Sequence, residues 1–130
     1  MTDYLLATAA IWMTISVMTS LGRIAGLGKV SPNMPGWLDE RTSKRRLPFY
    51  YIGSLAFALI FAYLLRLTWP VEVSLARGGI FGLLVGLAIY LPQTLQQFAT
   101  FTYPAKTMLG GAAIGIVQTT AAGLIGAIIL

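Results

Sequence analysis

The chain has 130 residues, 57% of them hydrophobic and only 10% charged, with a net charge of +5. Soluble domains carry about 25% charged residues. That contrast, with a mean hydropathy of +0.78, excludes an ordinary soluble domain and reads as an integral membrane protein. Histidine and cysteine are both absent, which excludes the common zinc sites, histidine-ligated haem, thiol chemistry and a Ser–His–acid triad.

Four apolar runs are each long enough to approach the ~20 residues that a spanning helix needs. They cover residues 4–21, 47–69, 77–91 and 107–130. The runs are continuous rather than alternating, as in LATAAIWMTISVM and FALIFAYLL, so they predict helices and not barrel strands. The expected fold is all-α: one membrane domain over residues 1–130, built as a four-helix bundle.

The first run is expected to be a retained helix. A cleaved signal segment has basic residues before its apolar stretch, whereas Arg23 and Lys29 follow this one. The loop 22–46 comes next. Gly22, Gly26 and Gly28 are read as ending the helix, and Asn33 with Pro35 as opening a short interfacial helix through Trp37. This loop holds Arg41, Lys44, Arg45 and Arg46. Basic loops stay on the cytoplasmic side, so both termini are expected on the outer side. Trp37 and the basic cluster are candidate contacts for anionic headgroups or for an acidic partner surface.

The second run carries a mild small-residue pattern in Ser54, Ala58 and Ala62. The third carries Ser74, Gly78, Gly82 and Gly86 at intervals of four, and the fourth carries Gly111, Gly115, Thr119, Gly123 and Ala127. Apolar helices gain nothing hydrophobic by leaving lipid for each other, so they associate through close backbone approach at small residues. These glycine-zipper patterns predict that helices three and four pack as an antiparallel hairpin, or that one stripe receives a helix from another subunit. Between them, Pro92 is expected to end or kink helix three, leaving 92–106 as an interfacial turn.

The polar residues within the spans are few. Gln118 lies near the middle of the last run, and Thr14, Ser16, Thr19 and Ser20 lie in the first. Gln118 is read first as a helix-bridging group and second as a ligand contact. Trp12, in the middle of helix one, is read as a packing or lipid-facing residue. Asp3, Asp39, Glu40 and Glu72 all fall outside the runs, which counts against a proton-coupled transporter. GLGK at 26–29 is not a phosphate loop, because its spacing is wrong and Val30 stands where Ser or Thr is required.

The glycine-rich segment GGIFGLLVGLAIYLP, the aromatic FATFTYP and the final helix with Gln118 at its centre resemble small four-helix bacterial membrane proteins of unknown function. The resemblance spans the last half of the chain. A Gly-x-Trp-Tyr segment expected after helix one is missing, and the family implies no activity.

The functional expectation is therefore a non-enzymatic accessory or assembly subunit of a respiratory or photosynthetic membrane complex in a bacterial inner membrane. Its partners would be membrane lipids and other membrane subunits, with no nucleic acid and no cofactor. The alternatives are a small oligomeric channel or transporter, and a lipid enzyme that grips phosphate with Arg41, Lys44, Arg45 and Arg46 and uses Asp39 or Glu40.

Overall fold

The computed structural model describes residues 1–24, 40–100 and 104–130, and the side chains of all of these except 23, 24 and 40–44. The described chain forms four helices: α1 (Thr2–Ile24), α2 (Glu40–Thr68), α3 (Leu75–Thr100) and α4 (Ala105–Ile129). Each is long and apolar enough to cross a membrane.

Two helices run past their expected ends. α3 continues through Pro92 to Thr100, so the stretch expected to begin an interfacial turn is helical instead. A proline removes one backbone donor and crowds the preceding turn, but nearby groups can absorb that loss in an apolar helix. The residues that follow, Leu95, Gln96, Gln97 and Ala99, are good helix formers. Likewise α2 starts at Glu40 rather than 47 and passes through Pro48. The basic residues from Arg41 to Arg46 therefore sit on the first turns of α2 instead of in a loop. The short helix expected from Asn33, and Trp37 with it, lie outside the described residues.

Gly22 does not end α1. It is buried within it, and a β-carbon there would meet the Ile114 side chain at 3.0 Å. α4 opens at Pro104, whose carbonyl accepts from the amides of Thr107 (3.0 Å) and Met108 (3.2 Å). Pro104 needs no partner for a nitrogen that carries no hydrogen.

The helices pack in the order α3, α4, α1, α2. The α3–α4 pairing is the most extensive, then α1–α4, then α1–α2, while α2 touches α4 sparingly. The α3–α4 seam is backbone against backbone. A β-carbon at Gly78 would strike the Gly123 carbonyl oxygen and Ala127, and one at Gly82 would strike the Thr119 carbonyl. α4 meets α1 at two close points, Gly22 against Ile114 and Gly126 against Ile11, with Leu65 of α2 also against Gly126. Ile11, Leu65, Ala58, Phe61 and Ala122 form the core there.

α2 is held to α1 by two side-chain bonds. The Tyr4 hydroxyl donates to the Leu59 carbonyl (2.7 Å), and Trp12 Nε1 donates to Ser54 Oγ (2.9 Å). Trp12 is thus a half-buried strut, with Tyr51 edge-on at 6.4 Å. Farther along, Phe61 and Trp69 clasp Phe81 of α3 at 5.1 and 5.8 Å. α2 and α3 therefore meet near the α2 C terminus, and the N-terminal half of α2 is left standing away from α4.

Candidate functional site between α2 and α4

That separation opens a groove of about 590 Å³. One wall is a single face of α2: Phe49, Gly53 and Phe57 at intervals of four, with Tyr50 and Ser54 beside them. The facing wall is α4, through Gly111, Gly115, Gln118 and Thr119, with Tyr90 of α3 and Thr19 of α1 closing the sides. Among the described residues, none that lines the groove is charged.

The polar floor is mostly satisfied from within. Gln118 is 7% exposed, and its Nε2 donates to Thr19 Oγ1 at 2.8 Å. The Thr19 hydroxyl in turn donates to the Ile15 carbonyl at 2.8 Å. Thr119 Oγ1 returns its proton to the carbonyls of Gly115 and Ile116. Thr14, Ser16 and Ser20 donate to the carbonyls one turn back along α1. Hydroxyls used in this way are not lining a polar path. The Gln118 Oε1 is the exception: it accepts no hydrogen bond among the described residues. No side-chain nitrogen or oxygen among them is both fully buried and unbonded, so Oε1 keeps its small exposure on the groove side.

The glycines of the two four-residue stripes separate into three groups. Gly78, Gly82, Gly86 and Gly123 lie on the seam, with Thr119 and Ala127 opposite them. Gly115 does not meet backbone; it carries the Tyr90 ring. Gly111 is expected in the packing stripe, but no atom of another described residue beyond its own helical turn lies within 4 Å of where its β-carbon would be, and the same holds for Gly53 on α2. Toward the N terminus of α4 the seam changes character: the Tyr90 ring rather than α3 backbone lies against Gly115, and Gly111 lines the groove. Ser74 also leaves the stripe, because it starts α3: its Oγ accepts from the Arg77 amide (3.3 Å) and its carbonyl from Gly78 (2.9 Å).

Of the expected headgroup contacts, Arg45 and Arg46 are exposed on α2, one turn before Phe49 and Tyr50. The side chains of Arg41 and Lys44, and all of Trp37, lie outside the described residues. The α2 wall itself went unread in the sequence. Its signal was present as the spacing of Phe49, Gly53 and Phe57, which the strong apolar run around them obscured. No family model matches the chain, and no curated protein or solved structure is similar to it.

Proposed function

We propose that this chain is a non-catalytic accessory or assembly subunit of a larger membrane complex, of the respiratory or photosynthetic kind, in a bacterial inner membrane. It crosses the bilayer four times, with both termini on the outer side and the basic start of α2 on the inner side. One observation carries the reading: α2 and α3 are each only 17% buried over their most apolar window, against 39% for α4. Ile52, Ile60 and Leu67 on α2 and Ile80 and Leu84 on α3 are all more than half exposed. Two of four helices thus offer whole apolar faces to lipid or to neighbouring helices. The hydroxyls of α1 are spent on its own carbonyls, which disfavours a solute path through a single chain.

The test is gentle extraction from the native membrane, a native gel, and mass spectrometry of every co-migrating chain. Larger, different chains in fixed stoichiometry support the subunit reading. A band that contains only this chain as a dimer or higher assembly overturns it and favours the oligomeric channel.

A further inference from the structure

We propose that the groove between α2 and α4 binds a neutral long-chain lipid with a free hydroxyl, and that this hydroxyl donates to Oε1 of Gln118. The inference rests on the bilayer placement above but on no partner complex.

Gln118 supplies the first argument. It is more than nine-tenths buried, its amide nitrogen is committed to Thr19, and its carbonyl oxygen faces the groove without a donor. In hydrocarbon an unpaired amide oxygen is costly. An acyl chain lying there would leave it unpaired, whereas a hydroxyl would satisfy it.

The empty space supplies the second. Glycine inside a helix is a poorer choice than alanine. On the α3–α4 seam the close backbone approach accounts for it. At Gly53 and Gly111 no atom of the described chain lies near enough to require glycine. Both line the groove, and side chains there would occupy it.

Charge and size narrow the occupant. Among the described residues the lining holds no Lys, Arg, Asp or Glu, so an ionised group would be stranded beside Gln118. The aromatic side chains Phe49, Phe57 and Tyr90 suit an apolar body. A volume of about 590 Å³ falls within the ~300–1,000 Å³ usual for small-molecule sites. A partner helix is at least ~10 Å across, so the same space would admit little more than one turn of it. These constraints select long-chain alcohols and phenols over phospholipids and over a docked helix.

The test uses the intact chain in phosphatidylcholine vesicles doped with a diazirine-bearing hexadecanol. After irradiation, adducts are mapped by peptide mass spectrometry. Adducts should concentrate on residues 49–57 and 111–119. Unlabelled hexadecanol should compete them away, and its methyl ether, which cannot donate, should not. Gln118→Leu should lower labelling about fivefold, the size of one ordinary hydrogen bond. Thr19 keeps its own bond to Ile15 in that variant. Gly111→Leu, which enters open space, should remove the labelling while helicity and elution volume stay the same.

Adducts spread evenly over the outer faces of α2 and α3 would overturn the proposal. So would equal competition by the ether, or displacement by phosphatidylglycerol in preference to the alcohol. The wild-type competition is decisive even if a variant fails to fold. Failure here leaves the co-purification result untouched, and the reverse also holds.

Discussion

Gly82 of α3 lies directly against the carbonyl of Thr119 on α4, with no room for a β-carbon between them. The two backbones meet there without an intervening side chain. Gly82→Ala must therefore push the helices apart or break the seam. The expected cost is about 1–3 kcal/mol, as for other overpacked sites, read as an earlier midpoint in a detergent denaturation titration. An unchanged midpoint would refute the seam.

Gly111→Ala and Gly53→Ala should do the opposite. Neither new methyl group meets a described atom beyond its own helical turn within 4 Å, and each removes a helical glycine. A gain of about 0.5–1 kcal/mol is expected from propensity alone. The same titration checks it, and a loss at either position would show that the groove is filled by the chain itself.

Thr19 and Gln118 bridge two helices that are 99 positions apart. A double-mutant cycle with Thr19→Val and Gln118→Leu should give a coupling near the ~0.6 kcal/mol typical of membrane interhelical bonds. A coupling of zero would mean that the amide points elsewhere.

Trp12→Phe keeps a ring against Tyr51 but loses the bond to Ser54. The expected loss is about 0.5–1.5 kcal/mol, and Ser54→Ala should add to it only the loss of the Ser54 hydroxyl's own bond to the Tyr51 carbonyl. Full additivity in the denaturation midpoints would separate the two residues.

The sequence contains no cysteine, so single-cysteine labelling can report the orientation directly. In intact cells Ser43→Cys, at the start of α2, should be shielded from an impermeant thiol reagent. Val71→Cys, between α2 and α3 and 84% exposed, should react readily. The reverse pattern would invert the topology.

The four helices were legible because each apolar run is unbroken and bilayer-sized. Their ends were less so. Pro92 and Pro48 look like breaks in a sequence, yet each removes only one donor, and beyond Pro92 the helix formers Leu95, Gln96, Gln97 and Ala99 carry the pattern on. The small-residue stripes announced close packing, but a stripe on α4 does not say how far the α3 backbone follows it. Gly111 and Gly123 are alike in sequence and differ only in what lies opposite. The bridge from Gln118 to Thr19 was readable as a bridge, though not as one that leaves Oε1 free. The groove depends on α2 standing away from α4, and no local pattern encodes a gap between two helices.

The α1–α4 contact joins two helices that are made far apart in time. Thr19 leaves the ribosome 99 residues before Gln118, which at ~5–20 residues per second is a delay of roughly 5–20 seconds. During that time α1 has only α2 to lean on, and α3 has no partner for its glycines. Completion of α4 supplies both missing surfaces at once. Synthesis of α4 therefore commits these four helices to packing, and a chain cut short before Gly111 would present cellular quality control with α1, α2 and α3 only loosely associated.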